Sequence, residues 1–391
     1  MKRLVNYFML GLAVCLGTLS LLPPLGMFGL KQAIDLDFIA THPQPIYGDA
    51  YPPNNELDKI DYIHLGSYEG PESIAINKQG DIYFSLKTGE IRYIKHKDVH
   101  VGTTGTASPS HSVVVVGRPL GIFFDQDENL LIADSVKGLL RLNKNTNILE
   151  ILTGQFNGTQ KLTFVNDVAC ATDGMIYFSD STTLAPILDK AGDWNTYIPS
   201  IFTCFSGQPA GKFLSYNPKT KITKVLIEKI AYSNGVTLDQ EENSVFVCES
   251  ATSRVLRYWI KGVNAGKSQV FIDNLPGYPD GIRMGDDGKL YIAIFGMRSK
   301  IMDFLSPYPM IKRLGIRLPF LFPKPHGVPM VVIADPKSGD ILGSLQGSQS
   351  KLKVITNVVE RDGVVYIGSL IGNVIGVKST ASSAATAAPA K

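Results

Sequence analysis

The sequence lacks the residue patterns that mark several common functional classes. It has no block of lysine and arginine and a net charge of only +3, which argues against nucleic acid as a partner. It has four cysteines in 391 residues and no C-x-x-C pair, so a zinc site is not expected. Helical periodicity is almost absent between residues 60 and 296, which favours an all-β domain.

The N-terminus contains the one long run without charge. Lys2 and Arg3 precede an uncharged segment from Leu4 to Leu30, and about 20 apolar residues are enough to cross a bilayer. The two basic residues predict a single-pass membrane protein with a cytoplasmic N-terminus and the remaining chain in the periplasm, lumen or cell exterior. No A-x-A pattern follows the run, so the sequence favours an uncleaved anchor over a cleaved signal peptide.

These features divide the chain into segments. The segments are a membrane anchor at 1–30, a linker at 31–58, a folded domain at 59–378 and a disordered Ala/Ser/Thr-rich tail at 379–391. Cys15 falls in the anchor, whereas Cys170, Cys204 and Cys248 fall in the domain. The sequence leaves two alternatives open for these three: one disulfide, or thiols buried as small hydrophobic groups.

The folded domain contains six copies of one pattern, in which two apolar runs flank a turn that contains Gly or Asp. The copies read "ESIAINKQGDIYFSL", "PLGIFFDQDENLLIAD", "NDVACATDGMIYFSD", "NGVTLDQEENSVFVCES", "DGIRMGDDGKLYIAI" and "ITNVVERDGVVYIGS". The position of Tyr83 recurs after 48, 46, 69, 45 and 75 residues. A period of about 45 to 48 residues is typical of a four-stranded propeller blade, so the sequence predicts an all-β, six-bladed β-propeller.

The repeat also predicts how the ring closes and where it is interrupted. "KIDYIHLG" at residues 59–66 is the candidate fourth strand of the sixth blade, which would cover exposed strand edges. The two long separations indicate insertions at roughly 181–211 and 296–326, between the second and third strands of the third and fifth blades. Both should overhang the channel mouth, the end of the central channel at which each blade's first strand begins.

One position, the start of each first strand, holds the candidate site residues. Across the six copies it is occupied by Glu72, Leu120, Asn166, Asn234, Asp280 and approximately Ile355. Carboxylate and amide oxygens are calcium ligands and no His or Cys joins them, so the four oxygen-bearing residues predict a calcium ion at the channel mouth. Asp167 could bind a second, structural ion. The alternative is that these Asn and Asp side chains bond to their own backbone at the strand start.

Several stretches resemble the strictosidine synthase-like family, particularly its adipocyte plasma membrane-associated protein branch. They are "GPESIAI", "SNGVTL", "LPGYPDGIR", "MDFLSPYPMIKRL" and "ERDGVVYIGSL", within a likeness that covers about residues 70–377. More distantly, the chain is similar to paraoxonases and gluconolactonases. The resemblance implies a six-bladed propeller with calcium in its channel, and it places Glu72, Asn166, Asn234 and Asp280 at calcium-ligand positions.

The chain departs from the family pattern at two points. Gly281 follows Asp280 where many relatives have Asn, and no His lies near the inner strand of the second blade, so a His general base is not expected. Glu360 matches the glutamate that serves the amine–aldehyde condensation of strictosidine synthase. The alternative for Glu360 is a solvated acid in a turn.

The leading expectation is a calcium-dependent hydrolase of carboxylic esters or lactones, similar to arylesterases and lactonases. Calcium would polarise the carbonyl, and Asp280 would orient or deprotonate a water. Phe, Leu, Pro and Tyr in the insertions suit a small hydrophobic substrate, although residues 304–325 could instead contact a membrane surface. Two alternatives remain: a condensing enzyme that uses Glu360, and a non-catalytic calcium-bound propeller that binds a partner.

Overall fold

The computed structural model describes residues 50–99, 113–299 and 328–380, together with the isolated positions 11, 14, 18, 303, 304, 307 and 308. The expected anchor, most of the second insertion with "MDFLSPYPMIKRL", and the tail beyond residue 380 lie outside this part. In the described part, no helix combines the length and apolar character that a bilayer crossing requires.

Six four-stranded antiparallel sheets form the blades. β1 (Asp61–His64) precedes blade 1, which holds β2 (Ile74–Ile76), β3 (Ile82–Ser85), β4 (Glu90–Ile94) and β5 (Val114–Val115). Blade 2 holds β6 (Pro119–Phe124), β7 (Leu130–Asp134), β8 (Gly138–Leu142) and β9 (Leu149–Thr153). A hairpin of β10 (Gln155–Phe156) and β11 (Gln160–Lys161) leads to blade 3, which begins with β12 (Val165–Cys170) and β13 (Ile176–Asp180).

The β13 connection carries a second hairpin, β14 (Ile187–Leu188) and β15 (Trp194–Asn195), and the helix α1 (Tyr197–Ser206). Blade 3 then continues with β16 (Gly211–Asn217) and β17 (Ile222–Ile230). Blade 4 holds β18 (Ser233–Leu238), β19 (Ser244–Glu249), β20 (Arg254–Trp259) and β21 (Ser268–Ile272). Blade 5 holds β22 (Gly277–Met284), β23 (Leu290–Met297), β24 (Met330–Ala334) and β25 (Ile341–Gln346). Blade 6 holds β26 (Ile355–Arg361), β27 (Val364–Ser369) and β28 (Val374–Ser379). Short 3₁₀ turns lie at Glu56–Lys59, His96–Asp98 and Ser250–Thr252.

The expected closure of the ring is confirmed. β1 pairs antiparallel with β28, with Asp61 opposite Val377 and His64 opposite Val374, so the N-terminal strand completes the last blade. Strand β28 continues to Ser379, and Thr380 N–H donates to Gly363 O at 2.8 Å, which extends the blade into the range assigned to the tail. This pairing removes two sheet edges that an open ring would expose.

The core lies between neighbouring blades rather than within one. Six hydrophobic clusters each join two adjacent blades around the ring. One buried aliphatic residue from every first strand contributes at the same register position: Ile74, Ile122, Val168, Val236, Ile282 and Val358. This row gives every first strand a common reference position, from which the candidate positions are counted.

Each first strand from blade 2 to blade 6 has a register shift where it enters the sheet, for example between Val165 and Val168 and between Pro279 and Ile282. Such bulges re-aim side chains next to functional sites. The candidate residues Asn166 and Asp280 lie within these shifts. The first insertion also lies where expected, between the second and third strands of blade 3.

The structure resolves the alternatives for the cysteines. Cys170 and Cys248 are buried free thiols, and Cys204 is a half-buried free thiol, so no disulfide joins these three described residues. Burial raises the pKa of the Cys204 thiol to about 12, which argues against its use as a nucleophile.

Candidate metal and catalytic site at the channel mouth

The strand register places the candidate positions at one level around the channel. Glu72, Asn166, Asn234 and Asp280 each lie two residues before the buried aliphatic residue of their strand. The sixth position is Thr356 rather than Ile355, because the turn of blade 6 is one residue shorter: Val359 pairs with Tyr366, whereas Ala75 pairs with Tyr83. The Thr356 hydroxyl donates to the backbone oxygen of Glu72 at 2.7 Å, which joins the last blade to the first at this level.

Two serines fix the orientation of the asparagine amides. Ser181 Oγ donates its hydrogen to Ser233 O at 2.5 Å, so toward Asn166 it can only accept, and Asn166 Nδ2 donates to it at 2.9 Å. Blade 4 repeats this relay: Asn234 Nδ2 donates to Ser250 Oγ at 3.1 Å, and Ser250 Oγ donates to Pro279 O at 2.6 Å. Each amide nitrogen is therefore held by its own blade, and each amide oxygen is turned away from the serine.

The relays also decide between the two interpretations of these asparagines. Their side chains bond to serines at the ends of the second strands and not to their own backbone. Asn166 and Asn234 are 8% and 6% exposed, and none of the described residues donates a hydrogen bond to either Oδ1. Two nearly buried acceptors without a protein donor fit the ligand set of a hard cation.

Asp280 is the carboxylate at this level that forms no ion pair with any described residue. It is half-buried. Burial raises the pKa of Asp280 well above its usual range, the nearby Glu72 charge raises it further, and the Asn234 amide opposes the change. These interactions show that Asp280, Glu72 and Asn234 share one environment in which a bound cation would relieve an electrostatic cost.

Glu72 differs because an arginine reaches its carboxylate. Arg118, directly before β6, donates from Nη2 to Glu72 Oε2; the two side chains are 2% and 16% exposed. Burial raises the pKa of Glu72, and the Arg118 charge opposes that change. Glu72 therefore has a protein counter-charge, whereas Asp280 has none in the described part of the chain.

A second arginine occupies the place where a second ion was expected. Arg283 of β22 binds Asp167 of β12 through two nitrogens, at 2.6 and 2.8 Å, and both side chains are buried. Val236 N–H also donates to Asp167 Oδ2 at 2.8 Å, and Arg283 Nη1 donates to Val236 O at 3.1 Å. The guanidinium thus supplies the positive charge at Asp167, and the expectation of a structural ion there is replaced by an ion pair that links blades 3, 4 and 5.

The structure does not bring Glu360 to this site. Glu360 lies near the far end of β26, two residues before the Asp362–Gly363 turn, and its carboxylate accepts from Asp287 N–H at 3.1 Å and Gly363 N–H at 2.8 Å. A strand rises about 3.3 Å per residue, so Glu360 lies about 13 Å further along its strand than Thr356, which shares the level of Asp280. It is 3% exposed, so it is not the solvated acid of the alternative interpretation either.

Glu360 is one of three turn glutamates that join blades in pairs. Glu128 of blade 2 accepts from Lys78 N–H of blade 1 at 3.2 Å, and Glu242 of blade 4 accepts from Thr172 N–H of blade 3 at 2.9 Å. Glu360 of blade 6 does the same for the turn of blade 5. The repetition assigns Glu360 a structural bond at the end of the channel opposite the mouth, which we call the turn end.

The close approach of neighbouring strands explains Gly281. A Cβ at this position would lie 2.6 Å from Thr356 O and 3.0 Å from Asn357 Nδ2. Asn357 fills that space and accepts from Ile74 N–H at 3.3 Å. An asparagine at position 281 would require a backbone shift, so this departure from the related pattern follows from the packing of blades 5 and 6.

Helix α1 of the first insertion packs beside the mouth. Thr203 and Thr182 share a hydrogen bond of 2.8 Å, and Ser200 on the helix bonds to the hydroxyl of Tyr232. Tyr232 has a left-handed backbone with φ of 64° and packs its ring edge-on against Phe164. The helix therefore packs, through Cys204, against a buried apolar cluster that includes Leu120, Phe164 and Tyr232.

The chain's donor set fits calcium better than a softer metal. Two carboxylates and two oriented amide oxygens are hard ligands, and no group of three or more His, Cys, Asp or Glu suited to a metal occurs among the described residues. Four protein oxygens leave room for water or substrate within a shell of six to eight.

Sequence reasoning missed the residues that orient or neutralise this site. Ser181 and Ser250 follow Asn166 and Asn234 by 15 and 16 residues, a spacing that the repeat alignment contained. Arg283 was visible as a basic residue inside an apolar inner strand. Arg118 carried no signal, because its partner Glu72 is 46 residues away and in another blade.

Comparison with known proteins supports the resemblance. A family model described as strictosidine synthase matches residues 165–263, and one described as strictosidine synthase-like, N-terminal, matches residues 49–93. Adipocyte plasma membrane-associated protein of Salmo salar is 32% identical over 91% of this chain and 86% of that protein. Protein strictosidine synthase-like 3 of Arabidopsis thaliana is 28% identical over 83% of this chain and 85% of that protein.

Solved structures confirm the fold class. A gluconolactonase from Xanthomonas campestris matches with a TM-score of 0.55 and 14% identity, over 84% of this chain and 97% of that one. Regucalcin from Agrobacterium tumefaciens, described as a calcium-binding protein, matches with a TM-score of 0.52 and 11% identity, over 81% and 94% of the two chains. At this level of identity the likeness concerns the propeller fold.

Proposed function

The chain belongs to the strictosidine synthase-like family, and we propose that it is a calcium-dependent hydrolase of carboxylic esters or lactones with its site at the channel mouth. The observation that carries the proposal is the pair of serine relays, which leave the Asn166 and Asn234 oxygens available beside Asp280. A gluconolactonase and a calcium-binding protein among the similar structures support it.

The residues that would hold calcium are Glu72, Asn166, Asn234 and Asp280. When bound, calcium would polarise the substrate carbonyl and stabilise the negative charge that develops on its oxygen. At the ion, the Asp280 carboxylate would orient a water and accept its proton.

The condensing-enzyme alternative is less well supported by the geometry. It requires Glu360 at the mouth, and each carboxylate oxygen of Glu360 instead accepts a hydrogen bond from a backbone N–H at the turn end. A non-catalytic propeller whose ion is structural uses the same four ligands, and only an activity measurement separates it from the hydrolase.

The test is hydrolysis of phenyl acetate and of a lactone panel by the full-length protein, with calcium or with chelator. We expect activity to fall at least 100-fold with chelator and in Asp280→Asn, since a general base and its metal each contribute on the order of 10² or more. Glu242→Gln, at the turn end of blade 4, is the matched control and should keep its activity. Hydrolysis that survives both chelator and Asp280→Asn contradicts the proposal; calcium binding without any hydrolysis favours the non-catalytic propeller.

We also propose that the apolar N-terminus anchors the protein in a membrane with the propeller on the non-cytoplasmic side. Relatives named adipocyte plasma membrane-associated protein support an association with membranes. Protease protection of the propeller in sealed vesicles, lost when detergent is added, is the expected result. Release of the intact chain by carbonate would contradict the anchor.

A further inference from the structure

Arg118 has a contact set unlike that of the other buried channel arginine. Its backbone is fixed, because Arg118 O accepts from Ser135 N at 3.0 Å and from Ser135 Oγ at 3.2 Å. Its guanidinium reaches Glu72 through Nη2 alone, and its other described contact is a long one of 3.5 Å from Nη1 to Pro119 O. Arg283, in contrast, grips Asp167 through two nitrogens and also donates to Val236 O and Ile282 O.

The charges at the mouth show why the weaker hold on the Arg118 guanidinium matters for ion binding. In the ionised form that would bind a cation, Glu72 and Asp280 bring two negative charges, and Arg118 brings one positive charge onto Glu72. A divalent ion bound by Glu72 would lie beside the guanidinium, and like charges at such distances repel strongly in a poorly solvated site. The ion and Arg118 therefore cannot both hold the Glu72 carboxylate in full.

We propose that Arg118 sets the ion affinity of the channel mouth, because its guanidinium and the bound cation compete for the carboxylate of Glu72. This inference rests on the proposed function and deepens it: Arg118 is a positioning residue, and the guanidinium withdraws from Glu72 when the ion binds. With no ion, the same contact neutralises a carboxylate that would otherwise be buried with no counter-charge.

The proposal gives the site a weaker affinity than its four oxygen ligands alone would give. Calcium sites tune their dissociation constants over many orders of magnitude through ligand charge, and extracellular modules lie near 10⁻⁴ to 10⁻³ M. The Arg118 guanidinium, as a competing positive charge, reduces the net negative charge of the ligand set by one. The resulting site fills only where calcium is abundant, as it is outside the cytoplasm.

The experiment compares calcium binding by the full-length wild type, Arg118→Met and Arg118→Gln, using calorimetric titration and calcium-dependent thermal unfolding. We expect the Kd for calcium to fall at least tenfold in both variants. In chelator, both variants should melt at a lower temperature than the wild type, because Glu72 loses its partner. Calcium should raise their melting temperature by more than it raises that of the wild type.

Arg92→Met is the matched control. Arg92 pairs with Glu90 at 2.7 Å on the third strand of blade 1, away from the mouth, so its loss should leave the Kd for calcium unchanged. If the wild type binds calcium and both Arg118 variants bind it equally or more weakly, the proposal is wrong. If neither wild type nor variants bind calcium, the proposal and the calcium site both fail. Binding by the variants alone would support the competition and overturn the calcium requirement of the native chain.

Discussion

The two ends of the channel use similar polar side chains in opposite ways. At the turn end, Glu360, Glu128 and Glu242 accept hydrogen bonds from backbone N–H groups of the preceding blade. At the mouth, Asn166 and Asn234 have their nitrogens bound and their oxygens without a described protein donor, and Asp280 has no described counter-ion.

The contrast separates polar groups with a protein partner from the groups that we propose bind an ion. A buried carboxylate whose acceptor sites are filled adds to stability, whereas one that lacks partners costs free energy until something binds it. The Asp167–Arg283 pair lies between the two ends. Like the turn-end glutamates, these two side chains have protein partners, because each neutralises the charge of the other. Substitutions at the two ends should therefore change different measured quantities.

The largest stability effect is expected at the Asp167–Arg283 pair. Asp167→Ala leaves Arg283 buried and unpaired, which should lower the free energy of unfolding by about 3–5 kcal/mol in urea titrations. The double variant Asp167→Leu/Arg283→Met should recover part of that loss, since no charge remains buried. A loss below about 1 kcal/mol in Asp167→Ala would show that the pair is not the clamp between blades 3 and 5.

At the turn end, Glu360→Gln should cost about 1.5–3 kcal/mol of stability, because a charged acceptor of two backbone N–H groups is replaced by a neutral one. Glu128→Gln is the matched variant and should cost a similar amount. Calcium affinity and hydrolysis should stay at wild-type values in both. Loss of activity with unchanged stability in Glu360→Gln, but not in Glu128→Gln, would show that Glu360 takes part in catalysis.

Asp180, at the end of β13, predicts a pH dependence. Burial raises the pKa of Asp180 to about 6, and the Phe164 N–H at 2.6 Å opposes that change only in part. The folded state therefore holds this proton to a higher pH than the unfolded state, which titrates near 3.8. The contribution of Asp180 to stability is greatest below pH 3.8 and declines, by about 3 kcal/mol, as the pH rises through about 6.

Chemical denaturation of wild type and Asp180→Asn between pH 4 and 7 checks this dependence. The asparagine keeps an acceptor for the Phe164 N–H but does not titrate, so the difference in stability between the two proteins should change over this window and level off above it. An identical pH profile for both would contradict the raised pKa.

The smallest effects are expected from the serine relays. Ser181→Ala and Ser250→Ala each remove the acceptor of one asparagine nitrogen, and the freed amide then holds its oxygen less firmly toward the ion. We expect calcium affinity to weaken about fivefold in each, which corresponds to about 1 kcal/mol. Ser85→Ala is the control. Ser85 Oγ donates to Leu120 O, and Leu120 occupies the site position of blade 2 without a polar side chain. Equal loss of affinity in all three would show that the relays do not orient the ligands.

The repeat made the ring and its candidate ligands predictable from the sequence. A period of about 45 to 48 residues and the alternation of apolar residues located six first strands, and the common position within them identified Glu72, Asn166, Asn234 and Asp280. The same reasoning placed the sixth position at Ile355 instead of Thr356, because the turn between β26 and β27 is one residue shorter than the turn of blade 1. The resemblance to strictosidine synthase also grouped Glu360 with the site. Glu360 lies near the end of the first strand of its blade, however, and that position indicates the turn end of the channel.

The sequence by itself determined the blade number, the closure of the ring by residues 61–64 and the strand positions that turn toward the mouth, because these depend on local periodicity repeated along the chain. Only the tertiary structure decided which polar groups are satisfied. Arg118 meets Glu72 across 46 residues, and Arg283 meets Asp167 across 116. Such pairings depend on which side chains the ring brings to one level. The partner of each carboxylate, and with it the division between paired and unpaired polar groups in the described part of the chain, is therefore decided only when the blades have packed.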